Sequence, residues 1–425
     1  MTTFAARKPL VARRDGRTPA TAGFVALTAT VAVVALFVWF SRRPDQLLHP
    51  YVWADEYHVL NRYQMQGFLP AALAPVKGYF IWPTSWTVTF AAWASFAHLP
   101  MVEYWLATAW FLLTLCLLLL PRSVFGVAWQ LAAALLLVLA PMNPEIFGVA
   151  LYSFWWTSLW PFITLVWSKD HWAFRTAAVI IGGMSSPAGT AALAPYLVLW
   201  LARRRRRDLV GTVVLFATSV AQTVAYVTSA RSQRTPVHPV EVALQELRNF
   251  AYYVLAWHKP LHTALLYFLG AAMALFVVAG FGALKAKGQE TLAVAVALVV
   301  GLVAVGLLSA VPSPLSTDPI SAGPRYYFLP FVVLGWVLAM VALASRRRWQ
   351  RTSVVVLVVL SLVGAGYNYA RYEPSVSWQA HLAACQDATG PFHVPVQFTG
   401  VVSQMWQDAL VVTPATCRRL GYRVK

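Results

Sequence analysis

Apolar runs long enough to cross a lipid bilayer recur from about residue 24 to residue 370 of this 425-residue chain, and that recurrence leaves few folds open. Inside hydrocarbon a backbone must satisfy its own N–H and C=O groups, which helices do within each segment. The composition agrees: 59% of residues are hydrophobic, 11% are charged and the mean hydropathy is +0.61. The expected fold class is an all-α polytopic membrane protein. A net charge of +18 would point to nucleic acid in a soluble chain. Here Arg and Lys gather at the ends of apolar runs, as the positive-inside rule demands, so nucleic acid is discounted and the lipid bilayer is the expected partner.

Topology follows from the basic clusters. Arg7, Lys8, Arg13, Arg14 and Arg17 precede the first apolar stretch and no small-residue cleavage site follows it. Phe24 to Phe40 therefore reads as a retained signal anchor with the N-terminus cytoplasmic. Arg203 to Arg207, Lys285 with Lys287, and Arg346, Arg347, Arg348 and Arg351 mark later cytoplasmic ends. Working outward gives spans near 24–40, 102–120, 125–141, 148–167, 172–185, 188–202, 209–228, 262–284, 291–311, 326–345 and 353–370, about eleven crossings. That parity makes Thr84 to His98 a re-entrant or juxtamembrane helix in the first outer loop, started by Pro83 and ended by His98-Leu99-Pro100, with Trp86 and Trp93 at the headgroup boundary. Were it to cross, Lys169 and Arg175 would move outside.

The chain then divides into a basic cytoplasmic N-terminus (1–22), a transmembrane domain (23–370) and a small extracytoplasmic tail (371–425), in the inner (plasma) membrane. Alternating stretches at Val394 to Phe398 and Leu410 to Thr413 suggest short strands in the tail. Cys116 falls in an apolar span and is expected to be buried, whereas Cys385 and Cys417 stand in the tail. A disulfide between those two fits an oxidising exterior, but their spacing alone leaves the pairing open.

The sharpest local feature is Trp53-Ala54-Asp55-Glu56-Tyr57-His58. Only 15 residues are Asp or Glu, and two adjacent carboxylates just outside a bilayer are costly enough to mark a working site. The plainer reading is that one of them pairs with Arg62 or caps a surface helix. On a regular helix adjacent side chains diverge by about 100°, so both serve one site only in a turn or a distorted segment.

The order of features is a basic N-terminus, a first span, an outer loop with the Asp55-Glu56 pair, the segment Tyr79-Phe80-Ile81-Trp82-Pro83 leading into helix 84–98, many spans and an outer tail. This order resembles the integral-membrane GT-C glycosyltransferases, which transfer a sugar from a polyprenyl-phosphate carrier to an acceptor on the outer face. The resemblance covers roughly residues 20–345 in layout, and the tail matches nothing in it. It implies an inverting transfer with Asp55 as general base and Glu56 as its partner for orientation, proton relay or an ion.

A donor of that class brings a phosphate, so the same face must supply cations. The leading candidate is Arg325 with Tyr326, in Gly323-Pro324-Arg325-Tyr326-Tyr327 at the mouth of a span. Arg248 and Lys259, in a loop whose stretch from Val240 to Trp257 is apolar at helical spacing, and Lys77 are further candidates. Their plainer readings are a headgroup anchor for Arg325 and solvated charges for the rest. Glu145, beside Pro144, and His58 are auxiliary candidates, with a helix-start carboxylate and a structural imidazole as the simpler alternatives.

No zinc-ligand spacing and no nucleotide-binding glycine pattern occurs. The acid pair could share a divalent cation with phosphate oxygens, so metal use stays open. Sugar and acceptor, whether glycan, lipid or protein, are undetermined. Two rival classes are a transporter or flippase of lipid-linked saccharide, favoured by the break at Ser185-Ser186-Pro187-Ala188-Gly189, and a polysaccharide polymerase or acyltransferase relying on outer-loop Arg or His.

Overall fold

A computed structural model describes residues 19–120, 122–169, 171–229, 239–254, 263–310, 324–367, 369–374, 376–385, 390–397 and 410–421, and these are almost wholly helical. Six stretches of helix among them are long and apolar enough to cross a membrane: Val25–Arg42, Trp82–Leu119, Arg206–Val227, Ala264–Lys285, Gln289–Leu308 and Arg325–Ala344. Val127–Leu139 and Trp172–Gly183 are apolar but shorter. The basic N-terminal residues, Lys259 and most of the 312–325 loop lie outside the described residues.

The segment expected to be re-entrant is one arm of a helical hairpin. The helix Trp82–Ser95 breaks at Phe96–His98, where Ser95 is extended, and Pro100 starts the return arm Leu99–Leu119. Trp110 Nε1 donates to Thr87 Oγ1 at 2.9 Å across the two arms, and the Trp86 and Trp110 rings lie 6.3 Å apart. Cys116 in the return arm is exposed, contrary to its expected burial, because it shares a helix face with exposed Leu112 and Leu113.

The stretch 148–167 is not one continuous span. It is built from short helical pieces, Ala150–Tyr152, Ser153–Ser158 and Trp160–Leu165, all buried. Gly148 (φ +68°) and Pro161 interrupt it: one adopts a left-handed backbone, the other lacks an N–H for the helical ladder. Hydroxyl pairs, Thr157 with Ser185 and Ser158 with Ser186, each at 2.7 Å, tie it to the second interrupted region at Ser185–Gly189. Both breaks are therefore largely buried and joined to each other by side-chain hydroxyls.

Arg206–Val227 connects the two ends of the bundle, a 22-residue helix about 33 Å long. At its start Arg205 meets Glu290 at 2.8 Å, and Lys287 donates to the Leu343 carbonyl at 3.2 Å. Near its other end the Gln222 amide accepts from Phe80 N at 2.9 Å and donates to Phe80 O at 3.0 Å. Arg203 to Arg207 and Lys287 thus share one end, and the acidic loop stands at the other.

The tail is fastened to that second end. Phe392–Val394 (β1) pairs antiparallel with Leu410–Val412 (β2), with Val394 opposite Leu410. Cys385 and Cys417 form a disulfide with Cα atoms 5.6 Å apart, which settles the open pairing. β1 begins two residues before the expected strand, and Gln397 instead makes an isolated parallel bridge to Trp53, donating to Val52 O at 2.9 Å while Ala54 N donates to Gln397 O at 2.8 Å. Gln64 Nε2 donates to Val411 O at 2.8 Å, and Trp378 Nε1 to Phe96 O at 2.9 Å.

Candidate functional site

The acidic doublet sits in a short 3₁₀ turn, Ala54–Glu56, between the tail bridge and the helix Tyr57–Gln66. The turn sends the two carboxylates different ways, so they do not converge on one point. Glu56 points inward and is fully buried; its Oε2 accepts from Trp53 N at 2.7 Å and its Oε1 from Leu151 N at 2.6 Å. Burial pushes its carboxyl up to about 8, against the pull of those two N–H donors and with a further upward push from Asp55. Glu56 is thus a clasp between the acidic loop and the 149–152 segment.

Asp55 points outward, and its side chain is 32% exposed. Its Oδ1 is bound by Lys77, while Oδ2 has no partner among the described residues. Lys77 reaches it from a tight turn closed by Val76 N donating to Tyr79 O at 2.9 Å. Lys77 (φ +50°) and Gly78 (φ +89°) are both left-handed, the backbone of a type I′ turn. A non-glycine residue held there costs about 1–2 kcal/mol, which the ion pair helps to offset. Gly78 is also needed for space, since a Cβ there would lie 2.5 Å from Ser229 Oγ.

Glu145 and Arg325 meet in a second cluster nearby. Asn143 Oδ1 accepts from Glu145 N at 3.0 Å, the local cap expected of a helix-start acid, but the Glu145 carboxylate turns inward and is buried. Arg325 Nη1 donates to its Oε1 at 2.8 Å and to the Tyr152 hydroxyl at 3.3 Å, and Tyr152 itself donates to Glu145. Arg371, from the tail, donates from Nη1 to Glu145 Oε2 at 3.4 Å and from Nε to Glu373. The two clusters adjoin: Leu151 N caps Glu56, and the next residue, Tyr152, accepts from Trp53 Nε1 at 3.2 Å.

Behind these lies a buried arginine pair. Arg43 makes two 3.0 Å hydrogen bonds to Asp45, and Arg42 caps Val127–Leu139 by donating to Val138 O at 3.1 Å and Met142 O at 2.8 Å. Burial tends to raise the Asp45 carboxyl, but Arg43, with help from Tyr51, holds it below its ordinary value. The Arg43 and Arg371 guanidinium carbons lie 5.5 and 5.4 Å from the Trp53 ring.

Of the residues singled out from the sequence, Asp55, Glu56, Lys77, Glu145 and Arg325 come together. Tyr326 flanks them, with its ring 5.3 Å from the Arg325 guanidinium carbon. Arg62, the simple partner considered for the acids, instead donates to the carbonyls of Ala74 and Pro75. His58 lies against Tyr57, with ring centroids 3.9 Å apart and the planes tilted by 33°. Arg248 is half-buried on Pro239–Val254, with no described contact to the cluster, and Lys259 lies outside the described residues. No group of three or more His, Cys, Asp or Glu suited to a metal occurs among the described residues.

Sequence reasoning missed Arg43, Asp45, Tyr152, Arg371 and Glu373, and also Glu103, a buried acid with neither carboxyl oxygen partnered among the described residues. The available signal was Arg42-Arg43 itself, a basic pair at the end of the first span where the positive-inside pattern expects none. As a unit this end of the bundle offers one carboxylate oxygen open to a hydroxyl and, in the adjoining cluster, guanidinium groups that suit an oxyanion. No protein-family model matches this chain, and no curated protein matches it.

Proposed function

We propose that this chain is a GT-C-like glycosyltransferase, moving a sugar from a polyprenyl-phosphate donor to a cell-envelope acceptor with inversion, and using Asp55 as general base. The observation that carries the reading is that the part-exposed Asp55 carboxylate and the Arg325–Glu145–Arg371 cluster lie at the same end of an apolar helical bundle. In this reading Oδ2 of Asp55 takes the proton from the acceptor hydroxyl while that oxygen bonds to the anomeric carbon. The bond from that carbon to the donor phosphate breaks, and its electron pair leaves with the phosphate toward Arg325. Lys77 steers Asp55 through Oδ1, and Glu56 fixes the loop on which Asp55 stands. A divalent cation on the Asp55 side would be an addition to this scheme and no step depends on it. The topology that goes with it has about eleven crossings of the inner membrane, a cytoplasmic N-terminus and an extracytoplasmic tail.

The rival transporter reading leaned on the Ser185–Gly189 break, and that break is buried and knitted by hydroxyl pairs, as a structural joint would be. The test is a transfer assay in membranes carrying wild-type or Asp55→Asn protein, with lipid-linked intermediates profiled in parallel. The expected result is a loss of about 10²–10⁴-fold in transfer at normal membrane insertion, with unused donor accumulating. Transfer at the wild-type rate by Asp55→Asn refutes the assignment.

A further inference from the structure

The arginines at the acidic-loop end outnumber the acids that hold them. Arg42, Arg43, Arg325 and Arg371 stand against Asp45, Glu145 and Glu373. Among the described residues Arg42 has carbonyls and rings around it but no carboxylate. Counting these seven side chains alone, the arginines exceed the acids by one, the excess falling on buried Arg42, and water-poor surroundings make such an excess costly.

Its layout shows where an anion would go. Asp45, Glu145 and Glu373 are all buried, and so are Arg42 and Arg43, whereas the Arg325 and Arg371 side chains remain 24% and 20% exposed. The acids are the covered part of the cluster and the Arg325 and Arg371 side chains its part-open side. Both groups rest on the oxygens of one carboxylate, which fixes their separation, and Trp53 lies against Arg371.

We propose that Arg325 and Arg371 form a two-arginine cradle for a phosphate oxyanion, with Glu145 as the residue that positions them. The tail thereby supplies one arm of the donor's phosphate grip. This rests on the glycosyl-transfer reading for its ligand, a phosphate attached to a lipid; a free pyrophosphate would satisfy the same chemistry. It also changes the role of Glu145, from an auxiliary group facing metal or acceptor to a brace behind the cations. The tail bridge between Gln397 and Trp53 and the Cys385–Cys417 disulfide then act together to hold Arg371 in place.

The experiment uses the full-length protein in nanodiscs of zwitterionic lipid, titrated calorimetrically with inorganic pyrophosphate, and a second set into which polyprenyl monophosphate is introduced. Arg325→Ala and Arg371→Ala should each weaken binding about tenfold or more, as expected for loss of a charged hydrogen-bond donor. The double variant should lose less than the product of the two, because the sites share Glu145. Arg371→Lys should recover part of the affinity, which a merely structural tail residue would not show. Response to the lipid alone assigns the carrier, and response to pyrophosphate alone assigns a free ligand to the same cradle.

Wild-type affinity in Arg371→Ala, with the disulfide shown intact by thiol counting, overturns the cradle, as does an unmodified protein that binds neither probe. Asp55→Asn separates the two ideas. If it abolishes transfer while Arg371→Ala binds normally, the cradle alone fails. If it leaves transfer intact while both arginine variants lose binding, the cradle stands and the glycosyl-transfer reading fails.

Discussion

The two ends of the bundle use the same ingredients for different physics. At one end Glu290 sits among Arg203, Arg205 and Arg207, and its side chain is 43% exposed. At the other, Glu145 sits between Arg325 and Arg371 with only 3% of its side chain exposed. In the first case Glu290 and Arg205 are open to water while Arg203 and Arg207 are largely covered, so water screens the Glu290–Arg205 pair and its value is topological. In the second, every ion must be answered by a partner, so position matters to the ångström and the loss of one member strands the others. Burial, rather than the number of ion pairs, separates a cluster that marks a membrane face from one able to build a site.

Four substitutions test that contrast, the largest effect first. Glu145→Ala should destabilise the protein by about 3–5 kcal/mol, because it strands Arg325, leaves Arg371 only Glu373 and removes the acceptor of Tyr152; thermal unfolding in detergent measures it, and a change under 1 kcal/mol would erase the distinction between the ends.

Glu56→Gln should cost about 1–3 kcal/mol, since an amide N–H₂ cannot accept and must face one of the two backbone N–H groups that the two carboxyl oxygens now accept from. It should also change the pH response. With its carboxyl raised to about 8 in the folded state, Glu56 gives its full stability below its ordinary value, and that contribution is lost as pH rises toward about 8. The wild type should therefore lose stability across that window while Glu56→Gln loses less, and parallel curves from pH 5 to 8 would contradict the buried environment.

Gly78→Ala should lower stability by about 1–2 kcal/mol through its left-handed backbone and the approach to Ser229, with transfer falling alongside as Lys77 shifts from Asp55. Unfolding and transfer assays on one preparation would reveal any decoupling of the two. Arg205→Ala, at the exposed end, should change stability by less than about 0.5–1 kcal/mol despite breaking a 2.8 Å contact; a larger loss would mean that the two ends are not so different.

Several parts of this architecture were legible in the residues. The apolar runs fixed the helical membrane class, and the Arg203–Arg207 and Lys287 clusters correctly fell at one end of the bundle. Pro83 and Pro100 marked the arms of the hairpin, since proline favours a first helical turn. The scarcity of acids singled out Asp55 and Glu56, and the turn at Pro144 singled out Glu145; all three lie at one end of the bundle. By contrast, 148–167 has the hydropathy of a single span, and its division into short buried pieces depended on neighbours that no hydropathy window contains. Arg371 and Glu373 were invisible for the same reason: they lie in a polar tail and gain importance only because Arg371 reaches Glu145 and Arg42 and Glu373 reaches Arg371 and Asp45.

Sequence by itself determined what every residue must do locally: span, turn, cap, or carry charge at a cost. Those demands come from backbone hydrogen bonding and solvation, which act over a few residues at a time. Tertiary structure alone decided which charges face which. It turned Glu56 inward and Asp55 outward, brought a tail arginine to the mouth of a span, and gathered three buried carboxylates with two part-exposed arginine side chains. Such choices depend on contacts between residues more than 100 positions apart, as between Arg325 and Glu145, and no local rule encodes them.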